Sequence, residues 1–485
     1  MSSARSPLAG LSPSELMDVL ASQRAAFADA PYPSLAERIK KLDRLHNAII
    51  DHRDAIIAAV DQDFGGRSTA ETLMAEIFPL LEGIAYCRKN LTRWMKPQRR
   101  SVPLILAPAS ATVHAQPLGV VGIVVPWNFP VFLGLSPLTY ALAAGNRVMM
   151  KMSEFAPETG KVIAEILSSV FSDDEVAVVN GDVETATAFT QLPFDHLVFT
   201  GSTNTGRVVA RAAADNLTPL TLELGGKSPA IIHPDFPLKE AARRIAFGKS
   251  INAGQVCVSP DYILCRKDQV NDFAKAFIDE ITTNYPEVDG NPDYTSIINE
   301  RQLARLRQYI VDAEAKGAAV LTINPKGEEL SGSSKLPMTV VIDVNDDMLV
   351  MQEEIFGPIL PIVAYDDIDD AVAYVNSKPR PLALYYFDWS DRRAKDVING
   401  THSGGVCIND TMSHVMTDDI PFGGVGPSGV GQYHGKEGFE TFSNLKGVVS
   451  KGRINSTAFV GAPWDRPIFR SLTAMQWLRF RRRPS

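Results

Sequence analysis

The sequence predicts an α/β protein built from two doubly wound domains with a small β extension, and three observations carry that expectation. Between Gly119 and Ala214, short apolar runs alternate with amphipathic stretches, as in a parallel sheet covered by helices on both faces. After Glu223 the alternation restarts and runs to about Cys407. With 485 residues, the chain is also too long for a single hydrophobic core. The expected division is a Rossmann-like domain of residues 1–99 and 119–223, and a second α/β domain of 224–408. Residues 100–118 and 430–450 form a bridging element, and 451–485 a tail.

Taken in order, Leu35, Ile39, Leu42, Leu45, Ile49, Ile56 and Val60 recur near helical spacing and predict one long helix over Pro33–Phe64. A second is expected over Thr72–Trp94, closed by Pro97. Arg99–Pro117 mixes small, apolar and proline residues and reads as extended ribbon, an edge suited to pairing subunits. Strands follow at Gly119–Val125, Arg147–Lys151, Glu175–Val179 and His196–Thr200, each leading to a helix: Leu135–Ala144, Thr159–Val170, Asp182–Thr190 and Gly206–Ala214. In the second domain, strands are expected at Ala230–Ile232, Tyr262–Cys265, Ala318–Leu321 and Leu360–Tyr365. Helices there are Lys239–Ser250, Asp268–Thr283 and Arg301–Lys316.

Composition excludes several functions. A formal net charge of -8, with no basic domain, argues against a general nucleic-acid binder. Four cysteines without a C-x-x-C pair favour neither a disulfide framework nor a cysteine-built zinc site, and the eight histidines lack ligand spacing, so no metal is expected. No apolar run is long enough to cross a bilayer. Met1–Pro7 has no apolar core behind a basic start, so a cytoplasmic location is expected. The tail ends in Trp477-Leu478-Arg479-Phe480-Arg481-Arg482-Arg483, read as a helix on a partner subunit with a solvated basic tip; contact with an anionic membrane is the lesser reading.

Gly254-Gln255-Val256-Cys257-Val258-Ser259-Pro260 sets a thiol on a bend. On spacing alone Cys257 is a small buried hydrophobe. Its company changes that: Glu223 in Leu222–Ser228 and Asn128 in Trp127–Pro130 supply a carboxylate and an amide donor, and the three roles together suit acyl transfer. Taken singly, Asn128 reads as a turn residue and Glu223 as a buried carboxylate paired to Lys227.

Seven motifs in series give the chain a resemblance to the NAD(P)-dependent aldehyde dehydrogenases. They are Pro126–Pro130, Lys151–Glu154, Phe199–Thr203, Leu222–Lys227, the Cys257 loop, Glu353–Pro358 and Pro421–Gly424. Gln255–Val258 with Pro260-Asp261-Tyr262, the Pro421–Gly429 run and Tyr433–Phe439 resemble the class 3 branch, which includes bacterial coniferyl-aldehyde and fatty aldehyde dehydrogenases. The resemblance implies the aldehyde dehydrogenase fold, a homodimer, and oxidation of an aromatic or aliphatic aldehyde to its acid. Cys257 is then the nucleophile, its backbone N–H and the Asn128 amide the oxyanion donors, and Glu223 the base that hydrolyses the thioester.

For the cofactor, the resemblance implies Lys151 and Glu154 on the adenosine ribose, favouring NAD with NADP possible, since Met152 stands where the family usually has proline. It also implies Glu354 on the nicotinamide ribose and Phe356 beside it. Gly201-Ser202-Thr203-Asn204-Thr205-Gly206, a strand end opening a helix, suits a pyrophosphate at Gly201, Ser202 and Gly206. Gly424–Gly429 matches G-x-G-x-x-G but contains proline and follows no strand, so it is a decoy. Phe422 is expected to line the substrate funnel.

Overall fold

In the computed structural model, which describes residues 8–103, 106–453, 455 and 461–480, a seven-stranded sheet runs Leu8–Ala9, Val176–Asn180, Arg147–Lys151, Val120–Val124, His196–Gly201, Leu220–Leu224, Gly429–Val430. Neighbours are parallel except the last pair, in which Gly429 lies opposite Glu223. From the central Val120–Val124 the chain steps outward through two strands, then crosses to the other side at His196–Gly201. That reversal opens a crevice beyond the carboxyl ends of these strands, where such sheets bind ligands. Asn128, Lys151 and Ser202 follow or end those strands.

A second seven-stranded sheet runs Ala319–Thr322, Thr339–Ile342, Ile359–Tyr365, Tyr262–Arg266, Pro229–Ile232, Ala383–Phe387, Gly405–Ile408, antiparallel only at its first pair. Its inner strands are almost wholly buried, Ile231, Ile263, Leu264 and Tyr385 completely so, which accounts for their uninterrupted apolar runs. Cys257 lies on the loop before Tyr262–Arg266, at that strand's amino end. The carboxyl-end rule that suits Asn128 and Gly201 therefore does not place the thiol.

The third sheet is a ribbon in which Ser443–Lys451 pairs antiparallel with Ala109–Pro117, and that strand with Gln98–Arg100. Leu445, Val448 and Val449 are exposed on its outer strand. Gly435–Thr441, inside the stretch expected as bridging element, is instead a helix packed on Phe132–Ala144.

Three helix expectations need correction. Pro33–Phe64 is two helices, Leu35–Asp51 and Arg53–Phe64, divided at His52, whose ring Nδ1 and backbone N–H both meet the Ala48 carbonyl. The apolar spacing hides the break because both helices pack on one core. The Thr72–Trp94 helix starts at Thr69 and carries a π-turn at Leu73–Ile77, where the Phe78 N–H reaches the Leu73 carbonyl; Pro79, next in line, has no N–H for an ordinary helical bond. The Gly206–Ala214 helix begins at Thr203, because Ser202 caps the Thr205 N–H.

Pro467–Arg479 forms a helix with no buried residue. The N-terminal Met1–Pro7 and the basic end Arg481–Arg483 lie outside the described residues.

Candidate active site

The loop carrying Cys257 is held in a sparsely populated conformation. Asn252, Ala253 and Gly254 have φ of 51°, 49° and 74°. For the first two, such left-handed geometry costs about 1–3 kcal/mol each, so the surroundings must impose it. Gln255 does much of this: its Nε2 donates to the Asn252 and Ser296 carbonyls, both at 3.0 Å, and its Oε1 accepts from the Ile298 N–H at 3.1 Å. Glu71 accepts from the Asn252 N–H at 3.1 Å and from Thr295 at 2.6 Å. At Gly254 a Cβ would overlap the Gly357 carbonyl, so only glycine lets the two loops meet.

Asn128 is tied directly to this loop. Its Nδ2 donates to the Gln255 carbonyl at 3.1 Å, which uses one of its two amide hydrogens. Its own carbonyl accepts from Asn252 Nδ2 at 3.1 Å and from Arg67 at 2.8 Å. Arg67 is buried between the rings of Phe64 and Phe129 and meets Glu76 at 3.3 Å. Glu76 in turn accepts from the Val131 and Phe132 N–H groups at 2.7 and 3.1 Å. A wholly buried ion pair thus braces the strap that carries Asn128.

Glu223 is 4% exposed, and neither carboxylate oxygen has a hydrogen-bond partner among the described residues. Burial holds its pKa well above the usual carboxylate range. Lys227, the alternative partner, bonds instead to Asp261 and to the Val350 and Glu353 carbonyls at 2.7 and 3.0 Å. Asp261 also accepts from the Ile355 N–H at 2.9 Å, so this ion pair fastens the segment bearing Glu354. Burial, then Glu354 and Glu223, push the Cys257 thiol up to about 12. Both carboxyls are therefore within electrostatic reach of the sulfur, and an arriving positive group would favour ionisation of all three.

On the nucleotide side, a cavity of about 450 Å³ is lined by Ser202, Thr203, Gly225, Lys227 and Glu354, among others. The Thr203–Asp215 helix opens there, and its first N–H groups suit a pyrophosphate. A Cβ at Gly225 would overlap the Glu354 carboxylate. One oxygen of Glu354 is buried without a protein partner, and burial raises that carboxyl to about 8. Lys151 donates to the Met152 carbonyl at 2.7 Å and stands 3.6 Å from Glu154, while Phe356 meets Trp127 edge-on at 5.3 Å. An orphaned acceptor, an open helix end and a lysine–glutamate pair fit a dinucleotide.

Gly206 packs under Leu224, whose side chain a Cβ there would overlap; it shapes the helix rather than lining the cavity. Phe422 is buried, stacked on His434 at 5.4 Å and edge-on to Tyr433 at 6.1 Å. Gly424–Gly429 is a tight loop closed by Ser428 on the Val425 N–H at 2.9 Å, and it delivers Gly429 to the Glu223 strand. Arg67, Glu71, Glu76 and Gln255 were not singled out from sequence. Only Glu76 lies inside an expected helix; Arg67 and Glu71 fall between two of them, and Gln255 stands in the Cys257 motif without a role of its own. No group of three His, Cys, Asp or Glu able to hold a metal ion occurs among the described residues, and no described helix is long and apolar enough to cross a membrane.

A nucleotide-type crevice lined by Glu354, whose carboxyl acts on the Cys257 thiol together with that of the desolvated Glu223, suits a cofactor-dependent oxidoreductase. The chain belongs to the aldehyde dehydrogenase family, whose model matches residues 8–448. It is 54% identical over 454 residues to a Pseudomonas aeruginosa protein described as "Probable coniferyl aldehyde dehydrogenase", covering 94% of each chain. With the coniferyl aldehyde dehydrogenase of Pseudomonas sp. strain HR199 it shares 43% identity, covering 95% of this chain and 96% of that one. The structure of Mycobacterium tuberculosis aldehyde dehydrogenase complexed with NAD+ superposes with a TM-score of 0.82 at 30% identity over 90% of each chain. This protein is accordingly an NAD(P)-dependent aldehyde dehydrogenase.

Proposed function

We propose that the enzyme oxidises an aromatic aldehyde of the coniferyl type to its carboxylic acid, with Cys257 as nucleophile and Glu223 as base. The observation that carries the site assignment is the pairing of a locked thiol with a buried carboxylate that no protein donor satisfies. Cys257 releases its proton to solvent and its sulfur adds to the aldehyde carbon, whose C=O bond opens to an oxyanion. The second Asn128 amide hydrogen and the Cys257 N–H hold the oxygen, whose charge they stabilise. A nicotinamide cofactor held here would supply the hydride acceptor, and loss of hydride from the adduct carbon leaves a thioester on Cys257. Glu223 then takes a proton from water as the water oxygen bonds to the thioester carbon; the carbon–sulfur bond breaks and the acid leaves.

Lys151 and Glu154 hold the adenosine ribose, Gly201 and Ser202 the pyrophosphate, Glu354 the nicotinamide ribose; Phe356 backs the ring and Phe422 belongs to the wall of the aldehyde funnel. Glu154 beside Lys151 accepts ribose hydroxyls and repels a 2'-phosphate, which favours NAD. The coniferyl assignment rests on the two relatives above. A steady-state panel of coniferyl, benzyl and long-chain aldehydes with NAD and NADP tests it: the highest kcat/KM is expected for coniferyl aldehyde with NAD, and a preference for long-chain aldehydes rejects the substrate class.

The proposal includes a homodimer paired through the 100–118 and 430–450 element, whose outer strand exposes Leu445, Val448 and Val449 and is open to further pairing. It also includes a cytoplasmic location, where four unpaired cysteines stay reduced. Light scattering that returns the monomer mass rejects the dimer.

A further inference from the structure

Tyr433 is fully buried, and its hydroxyl has no hydrogen-bond partner among the described residues. Leaving such a group unsatisfied costs about 1–3 kcal/mol, which calls for an explanation. The backbone fixes its position tightly. Gly429 lies opposite Glu223, and the Leu224 N–H donates to the Ser428 carbonyl at 3.0 Å. Phe422 and Tyr433 then exchange both backbone hydrogen bonds, at 2.9 and 2.8 Å. The ring packs edge-on against the stacked pair of Phe422 and His434, at 6.1 and 4.7 Å. Burial acts most strongly on the hydroxyl, pushing its pKa well up, and Glu223 and then Cys257 add to it electrostatically. The same chain segment, paired with the Glu223 strand at Gly429, thus carries a rigid, unsatisfied donor on which both the base and the nucleophile act electrostatically.

Neither Glu223 oxygen has a protein partner either. A donor and an acceptor that each share an electrostatic interaction with Cys257, both without a mate among the described residues, have a chemical complement in the reaction: the water that cleaves the thioester. We propose that Tyr433 is a catalytic residue of the hydrolytic half-reaction, its O–H donating to the attacking water while Glu223 takes that water's proton. One lone pair of the water accepts from Tyr433 and the other bonds to the thioester carbon. One hydrogen goes to Glu223, the carbon–sulfur bond breaks, and the sulfur recovers a proton. The inference rests on the reading of Cys257 and Glu223 given above, and it leaves the oxidative half-reaction to Cys257 and Asn128.

The test is rapid-mixing kinetics on the full-length enzyme with NAD and coniferyl aldehyde, comparing wild type, Tyr433→Phe and Glu223→Gln. Phenylalanine keeps the ring and its packing, and the amplitude of the NADH burst counts correctly folded sites. Tyr433→Phe is expected to keep a full burst at close to the wild-type rate, then turn over 10- to 100-fold more slowly, as befits one lost hydrogen bond in a transition state. Hydroxylamine, which attacks a thioester without a positioned water, should restore turnover; a residue that merely packs would give no such rescue. A steady-state rate equal to wild type, a burst that is lost or slowed in proportion, or a slow variant that hydroxylamine leaves slow overturns the inference. If Glu223→Gln stalls while Tyr433→Phe turns over normally, only the tyrosine assignment fails. If Glu223→Gln turns over normally, the underlying reading of the base fails.

Discussion

Arg67 and Glu76 form a buried ion pair whose main consequence is to brace Asn128, and that separation of stability from positioning can be measured. Replacing Arg67 with methionine leaves the Glu76 carboxylate with only the Val131 and Phe132 N–H groups for company. An uncompensated buried charge of this kind costs about 3–5 kcal/mol. Adding Glu76→Gln removes the charge while keeping an oxygen for both N–H groups. The double variant should therefore recover most of the loss, remaining about 1–2 kcal/mol below wild type for the missing bond to Asn128 and the lost ring contacts. Activity should not recover with it. The Asn128 carbonyl still lacks its 2.8 Å partner, and one charge-assisted bond of about 1.5–3 kcal/mol corresponds to a burst slowed about 10-fold or more. Urea midpoints and rapid-mixing NADH bursts on the three proteins give both numbers. A single variant as stable as wild type, or a double variant with a wild-type burst, refutes the reasoning.

Glu223→Gln should complete one oxidation per site and then stall, lowering the steady-state rate by about 10²- to 10⁴-fold; an undiminished rate in NADH assays removes Glu223 from hydrolysis. Gly225→Ala drives a Cβ into the Glu354 carboxylate, so calorimetry should show NAD binding weakened about 10- to 100-fold, the worth of one or two displaced hydrogen bonds. An unchanged Kd takes Glu354 out of the cofactor site. Burial pushes His196 and His414 down to about 4 and His434 to about 3. Unfolded histidines bind protons below about pH 6.5 where these stay neutral, so their stability contribution is whole above that pH and is lost as pH falls toward 4. Between pH 6.5 and 5 each accounts for about 2 kcal/mol, and urea midpoints that stay flat across this interval contradict the assignment.

The parts of the fold legible in the sequence are those where burial is complete on both faces. Val120–Val124 and Tyr262–Arg266 are continuous apolar runs because helices cover them. Ala383–Phe387 carries the same signal, and periodicity alone does not separate so short a run from a buried helix segment. The break at His52 is invisible to periodicity because one face serves two helices. In the site, the sequence marks Cys257, Glu223 and Asn128 by their motifs, and the structure ties Asn128 to the loop of Cys257 through Gln255. What supports them is not local. Arg67 reaches Asn128 across 61 positions and Glu71 reaches Asn252 across 181, so no window of sequence holds both partners. Tyr433 stands in a motif the sequence shows, but its relation to Glu223 is not local either: it depends on the pairing of Gly429 with Glu223.

The claim on which the rest depends is covalent chemistry at Cys257. Intact-protein and peptide mass spectrometry of Glu223→Gln, quenched after mixing with NAD and coniferyl aldehyde, tests it directly. The account predicts one acyl group per chain, located on the peptide containing Cys257 and absent from the Cys257→Ala, Glu223→Gln double variant. An unmodified protein after a full NADH burst, or an acyl group on any other residue, contradicts it.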